Sequence, residues 1–438
     1  MKKSNQNLKS KTIFTLSFVV MSIFVLAAQP DARMIITNPG ESASVEMRIS
    51  WHTDVGVENS FVEYTKRTDT NWENSRKVIG NHTLSTAWYG IPSRICLAQG
   101  EFIQDIQVYH HKAVLNNLES GTNYMYRVWA NNVMSEPRFF KTAGTGEFTF
   151  AWISDFHVYC PLPRRLNDAM NMVSTLIEAS ENGIDFIFST GDDVAHGGSY
   201  TQWLSLFDHE HTKNYMWVRT IGNHETYSRG LTHNKEEYYT HTHNNPRNGF
   251  PGQEGASFWF MYNNVLWIIL NCQDMHLNPA QIPIAQAWAA DVIRNNPAQY
   301  VFVAQHRQWF MGETGAYAGA GFARWHEFFD KWGVDLALAG NNHIYVRSYP
   351  IYNQQVSAEK GTIYIQAPSS DGDRGQEMNE TLTYNAEKIA FRWTEGGPTI
   401  GGILVTVSEN EIYVRLYDRH GNRLDDAEIP ARHEPIRF

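Results

Sequence analysis

From about Met34 to Ala143, apolar and polar residues alternate in short runs, such as Ser44 to Trp51 and Phe61 to Tyr64, broken by turn residues. A period of two without any long helical period predicts half-buried strands, so residues 34–143 read as an all-β sandwich. In Leu118 to Ala130 a Gly turn precedes Tyr124, Tyr126 and Val128 on one face of a strand, as in the tyrosine-corner strand of a small sandwich. The Gly/Thr-rich stretch Lys141 to Phe148 reads as a linker, and the pattern changes after it. Fully apolar runs at Phe148 to Ile153, Phe186 to Ser189, Met216 to Ile221, Val265 to Leu270, Val301 to Ala304 and Leu336 to Ala339 read as buried strands. Helical periods at Leu166 to Glu178 and Phe322 to Lys331 lie between them, which makes residues 147–438 an α/β domain. Strand-like segments at Gly361 to Gln366, Gly402 to Val407 and Glu411 to Tyr417 predict that antiparallel structure closes the sheets.

A chain of 438 residues has room for two or three domains of about 150 residues. With 42% hydrophobic and 19% charged residues it is globular, which excludes collagen-like, coiled-coil and disordered readings. Residues 1–28 stand apart: Lys2, Lys3, Lys9 and Lys11 precede an apolar run from Ile13 to Ala28 that ends in small residues. That is the pattern of a removable signal peptide, and the run is short of the roughly 20 residues a spanning helix needs. The expectation is an exported protein, periplasmic or secreted, with no membrane span once the signal is gone. The formal charge of −10 argues against nucleic-acid binding, which needs a basic face. Losing the four signal Lys leaves 32 basic against 46 acidic residues, a mature charge of −14. Cys96, Cys160 and Cys272 allow at most one disulfide, so this is no disulfide scaffold.

Short motifs follow the apolar runs directly: SDFH (Ser154 to His157), GDD (Gly191 to Asp193), GNHE (Gly222 to Glu225), QH (Gln305, His306) and GNNH (Gly340 to His343). Ligands of open α/β sheets gather beyond the carboxyl ends of the strands, where loops from several strands converge. Five such loops presenting Asp, Asn and His are what an oxygen- and nitrogen-ligated metal centre requires, and Gly beside three of them lets the backbone turn sharply.

On these motifs the chain resembles the calcineurin-like metallophosphoesterases, and with its leading sandwich it is most similar to their purple acid phosphatase branch, over about residues 34–350. The resemblance implies a four-layer α/β/β/α core behind a fibronectin type III-like sandwich, and two divalent metal ions of the Zn, Mn or Fe class. It implies that Asp155, His157, Asp192 and His343 hold the first metal. Asp192 would bridge to the second, which Asn223 and His306 also ligate, with His224 as the acid catalyst. Two departures stand out. Purple acid phosphatases have Gly where His157 stands and a Tyr ligand where this chain has Ala195, so one ligand is lost and one gained, and no tyrosinate colour is expected. The family's last motif is usually Gly-His-x-His, but its first His is Asn341 here. An amide oxygen suits Mn or Mg better than Zn, so the second metal is expected to be weaker or different in kind.

The implied chemistry is hydrolysis of a small phosphate ester: paired cations clamp the phosphoryl group and activate a hydroxide, and His224 protonates the leaving alcohol. An acid phosphatase-like monoesterase is the leading reading. The alternatives are a phosphodiesterase or nucleotidase of the same fold, or a surface binding protein whose centre has decayed, with Asn341 as the first sign. Candidate substrate contacts are His196, Arg307 and Arg347, with ion pairing the competing role for the two Arg. Asp193 either orients a ligand His or caps the next segment. His233, His241, His243 and the Pro/Gly-rich stretch Asn244 to Gly255 read as exposed loop, placed to be a lid or an insertion. Tyr200, Trp203, Tyr227, Trp309, Phe310 and Tyr317 line a pocket or, more simply, pack the core.

Overall fold

The computed structural model describes residues 32–89, 104–159, 162–227, 237–309, 320–374, 386–393 and 400–431. The signal segment, Cys96, Cys160, His233, Phe310 and Tyr317 lie outside the described residues.

Alternation in the first segment produces two antiparallel sheets. One orders Arg33–Pro39, Met47–Asp54, Gln104–Leu115 and Asn81–Tyr89; the other pairs Ser60–Lys66 with Arg76–Ile79 and Asn123–Ala130. Tyr124, Tyr126 and Val128 are buried on one face, and the Tyr124 hydroxyl accepts from the Glu119 backbone N–H at 2.9 Å. That bond back to the preceding turn is the tyrosine-corner device.

The second segment folds into two facing sheets. In the first, Met216–Arg219, Phe186–Ser189 and Phe148–Ile153 run parallel, and Gly401–Val407, Glu411–Asp418 and Arg423–Pro430 extend it antiparallel. The second sheet has a parallel centre of Val265–Ile269, Tyr300–Ala304, Leu336–Ala339 and Ile363–Gln366, with antiparallel Phe258–Tyr262 at one edge and Val346–Ser348 and Ile389–Arg392 at the other. Aromatic and branched residues from the inward faces, including Phe150, Phe188, Trp267 and Phe302, interdigitate between the sheets. Ala151, Ile153 and Ile187 on the outer face of the first sheet pack against the helix Arg164–Ala179. Leu266, Val301 and Ala337 on the outer face of the second pack against Gln281–Asn295 and Ala320–Trp332. The result is the four-layer α/β/β/α order. In the helix Gln281–Asn295 the buried stripe is Ile282, Ala285, Ala289, Val292 and Ile293, and Pro283 sits in its first turn, where no backbone N–H is needed.

The sandwich is joined to this core along a broad face. Ala43 N–H donates to Met261 O at 3.1 Å and Met261 N–H to Glu41 O at 2.8 Å, extending the free edge of the second sheet. Beside the first sheet's edge strand, Asn38 Nδ2 donates to Trp217 O at 3.2 Å. The polar stretch expected as exposed loop fills the seam instead. Glu237–Thr242 is a helix, His243 is buried, and Asn244 Nδ2 donates to Ile49 O and Ala113 O at 3.1 and 2.9 Å. The Asn244 side-chain NH2 is satisfied by strands well over 100 residues away, which local composition does not reveal. Among the described residues, no helix is long and apolar enough to cross a membrane.

Candidate metal centre

The carboxyl ends of the parallel strands in both sheets point to one place, and the five motif loops meet there. Backbone bonds lace them together: Asp155 N–H to Gly191 O at 3.1 Å, His157 N–H to Asp192 O at 2.9 Å, Gly340 N–H to His306 O at 2.8 Å. The turns are tight enough that five predicted ligands adopt left-handed backbone, with φ of 52° at Asp155, 44° at His157, 54° at Asp192, 76° at Asn341 and 60° at His343. Such values are uncommon for residues with a Cβ and gather where function fixes the geometry. The motif glycines serve two different needs. Gly191 has φ of +93°, whereas Gly222 and Gly340 are required by crowding. A Cβ on Gly222 would lie 2.1 Å from Asp192 Oδ1, and one on Gly340 would lie 2.4 Å from Ser154 Oγ.

Each imidazole is aimed by its far nitrogen. Nδ1–H of His157 donates to Asp155 O at 2.8 Å, that of His224 to Ala195 O at 2.8 Å, that of His306 to Thr190 O at 2.7 Å, and that of His343 to Arg374 O at 2.7 Å. This fixes the tautomer and turns all four Nε2 atoms inward, as in metal-binding histidines. Asp192 Oδ2 lies 3.3 Å from Nε2 of His157, 3.3 Å from that of His306 and 3.9 Å from that of His224. His306 Nε2 is also 3.3 Å from Asn223 Oδ1, and His343 Nε2 is 3.4 Å from Asp155 Oδ1. Three overlapping clusters result: Asp155, His157 and His343; His157, Asp192 and His224; Asp155, Asp192 and His306. His157 Nε2 is buried without a hydrogen-bond partner. Nitrogen and oxygen donors converging from imidazole, carboxylate and amide fit bound cations, which would displace any proton the imidazoles hold there.

Charge balance follows the same logic. Burial by itself would raise the Asp192 carboxyl, but the His306 and His224 rings outweigh it and hold it well below the usual carboxylate range. Burial would lower His306, and the Asp192 carboxylate overrides that, bringing it up to about 10. His224 is pushed down to about 3, chiefly by burial, although Asp192 pulls the other way.

The remaining predicted residues are spread around this centre. His196 sits outside the three clusters, its backbone N–H on Gln202 Oε1 at 2.9 Å, and burial lowers its ring to about 4. Arg307 rests on Gln273 Oε1 at 3.1 Å and lines a cavity with Cys272, Gln308 and Trp325. Arg347 forks onto Asp425 at 2.7 and 2.8 Å, which commits its guanidinium to an ion pair. Asp193 faces the buried Arg219 at 3.3 Å and accepts from Ser189 Oγ, so its carboxylate neither orients a ligand His nor caps a helix. Tyr200, Trp203 and Trp309 are core residues, and Cys272 is buried as a free thiol. Cys272 accepts from the Arg307 backbone N–H at 3.2 Å.

Two residues escaped sequence reasoning. Glu225, the last letter of GNHE, is buried and accepts from the backbone N–H of Asp192, Asp193 and Gly222 at 2.8, 2.8 and 2.7 Å, tying two ligand loops together. Burial and the neighbouring Asp192 and Asp193 push its carboxyl up to about 8, against the pull of its amide donors. The capping-type spacing of an acid three residues after Gly222 was the available signal. Arg374, besides holding His343 through its carbonyl, brings a positive charge that acts on His157, His224 and His343 alike. Nothing around Arg374 in the sequence marks it.

A four-layer sandwich with a dinuclear His/Asp centre at its strand ends defines a metal-dependent phosphoesterase. Residues 33–142 match the family "Purple acid Phosphatase, N-terminal domain" and residues 148–345 the family "Calcineurin-like phosphoesterase". The chain belongs to the calcineurin-like metallophosphoesterase superfamily, on its purple acid phosphatase-like branch. The fold is similar to that of the purple acid phosphatase PPD1 from yellow lupin (Lupinus luteus) seeds, at TM-score 0.70 and 16% identity, covering 92% of this chain and 74% of that one. It is also similar to the structure of PhoD, at TM-score 0.59 and 14% identity, covering 91% of this chain and 93% of that one. No curated protein matches the sequence.

Proposed function

We propose that the chain is an exported phosphatase that removes phosphate from small monoesters, with Asp155, His157, Asp192 and His343 holding one cation and Asp192, Asn223, His306 and Asn341 the other. The observation that carries this reading is the convergence of imidazole Nε2 and oxygen atoms around Asp192. Cations bound there supply a clamp for phosphoryl oxygens and lower the pKa of bound water. His224, beside ligand Asn223 and neutral in the free site, gains a proton when a phosphate dianion brings negative charge against it, and passes that proton to the leaving alcohol. Arg374 supplies a fixed positive charge for the phosphate oxygens from the His343 side. With Ala195 in place of a tyrosine ligand, the loaded protein should be colourless. The oxygen-rich set around Asn341 favours Mn2+ or Mg2+ in the second position and Zn2+ or Fe in the first. Export rests on the charged and apolar pattern of residues 1–28, and an N-terminus starting near residue 29 in protein recovered outside the cytoplasm is the expected result.

The deciding assay sets an aryl phosphate monoester against a diester, with added Mn2+, Zn2+ or Mg2+. Wild type should prefer the monoester, and Asp192→Asn should lose at least about 100-fold in kcat, since it removes the bridging charge. Preference for the diester would move the assignment to the phosphodiesterase reading. Full activity in Asp192→Asn would end the proposal.

A further inference from the structure

Asn341 stands where the family's pattern has a histidine, and an amide brings an ambiguity that an imidazole lacks. Its two ends have nearly the same shape, but the oxygen can ligate a cation and the NH2 group cannot. Something must decide which end faces the metals.

The run after His306 answers this. Gln308, buried two residues beyond that ligand, presents Oε1 to Asn341 Nδ2 at 2.8 Å. Asn342 Oδ1 accepts from the same Nδ2 at 3.0 Å. The Asn341 backbone is already fixed, with φ of +76° and its N–H donating to both Asp155 oxygens at 3.2 and 3.0 Å. With the Gln308 and Asn342 amides oriented as found, turning the Asn341 amide over would bring its oxygen against two other oxygens, so the NH2 group stays on the Gln308 side. Asn341 Oδ1 accepts no hydrogen bond among the described residues and is left for a cation. The second amide ligand is held by the same device: Asn223 Nδ2 donates to Tyr227 Oη at 2.9 Å, leaving its Oδ1 3.3 Å from His306 Nε2.

We infer that Gln308 is a positioning residue that locks the Asn341 amide oxygen inward and so sets the second site as an oxygen-rich position selecting Mn2+ or Mg2+ over Zn2+. This rests on the proposed assignment of Asn341 as a ligand. The donor sets then differ in kind. The first site would take two imidazole nitrogens and two carboxylates. The second would take one imidazole, one carboxylate and two amide oxygens, harder donors that suit harder ions.

The test measures metal bound per chain after dialysis, and Mn2+/Zn2+ competition for the weaker position, in wild type, Gln308→Met, Gln308→Glu, Asn341→Ala and Gln308→Met/Asn341→Ala. Met keeps the volume of Gln without the acceptor, and retention of the first metal with an unchanged melting temperature reports that the variant is folded. Gln308→Met should weaken Mn2+ at the second site by about 10-fold, within the range for residues that orient a metal ligand. It should have no further effect once Asn341 is Ala, because it acts only through that amide. Gln308→Glu, which keeps an acceptor facing Nδ2, should retain wild-type affinity or better. Loss in Asn341→Ala but not in Gln308→Met would overturn the positioning role and leave the ligand assignment standing. An unchanged second site in Asn341→Ala would remove the assignment itself. Equal additional loss from Gln308→Met in both backgrounds would reduce Gln308 to a structural part.

Discussion

Glu225 decides how tightly two of the ligand loops are held. Its two oxygens receive the backbone N–H groups of Asp192, Asp193 and Gly222 at 2.7 to 2.8 Å and, more weakly, that of Val194 at 3.4 Å. Gln at this position has one oxygen and one NH2 group, so at least one of those donors would face another donor. A buried donor left unmade costs about 1–3 kcal/mol, and Glu225→Gln should lower stability by that amount in urea unfolding. Metal affinity should fall with it, because Asp192 loses the anchor on its own N–H. An unchanged unfolding midpoint would mean that water or a neighbour replaces the lost acceptor. Gly340→Ala makes a related prediction. Its methyl would press on Ser154 Oγ and Asp155 Oδ2, displacing a ligand carboxylate, so bound metal should drop even where the chain still folds.

At the scale of elements, the seam between the sandwich and the core is unusual for its histidines. His52 on the strand Met47–Asp54 and His110 on Gln104–Leu115 are buried with ring centroids 3.8 Å apart, and His243 stacks on Tyr239 at 4.1 Å. Burial, with smaller contributions from one another and from nearby Arg33 and Lys112, lowers these rings and that of His111, the next residue on the His110 strand: His110 to about 3 and His111 to about 4. In the unfolded chain each titrates near about 6.5. A depressed folded pKa means that the unfolded chain takes up protons first, so stability is intact above about pH 6.5 and falls as pH drops toward 4. Urea midpoints should be lower at pH 5 than at pH 7.5, and His110→Leu should narrow that difference. An identical drop in both proteins would place the effect elsewhere.

The seam also marks where sequence stops being informative. Phe148–Ile153 and Phe186–Ser189 announced themselves as unbroken apolar runs, and the motifs at their ends could be placed because a strand must stop before its loop begins. His243 and Asn244 looked like loop residues because their partners lie on strands far away in the chain. Glu225 was hidden for another reason: its partners are backbone amides, and the acid three residues after Gly222 is the one faint trace they leave in the sequence. Asn341 could be recognised as a departure, but the acceptor that orients it could not.

Across the whole molecule, one apolar cluster runs from Met47, Ile49 and Trp51 in the sandwich to Phe150 and Trp267 in the catalytic core. The sandwich also covers the edge strands Met216–Arg219 and Phe258–Tyr262, one from each facing sheet. Unpaired sheet edges template association between chains. Residues 147–438 expressed alone should therefore aggregate or elute as oligomers in size-exclusion chromatography, whereas a monomeric, active fragment would show that the seam is dispensable.

The left-handed residues at Asp155, His157, Asp192, Asn341 and His343 carry an implication for how the protein matures. Those conformations are locally unfavourable, by about 1 kcal/mol or more each, while the strands beneath them are held by the apolar core. The scaffold can thus form first and accept its cations afterwards, with the ligand loops as the last part to settle. Chelation should leave the strand amides protected from hydrogen exchange but release protection at Gly191 to Val194 and Gly340 to His343. Metal capture would then be a finishing step that the cell can time separately from folding.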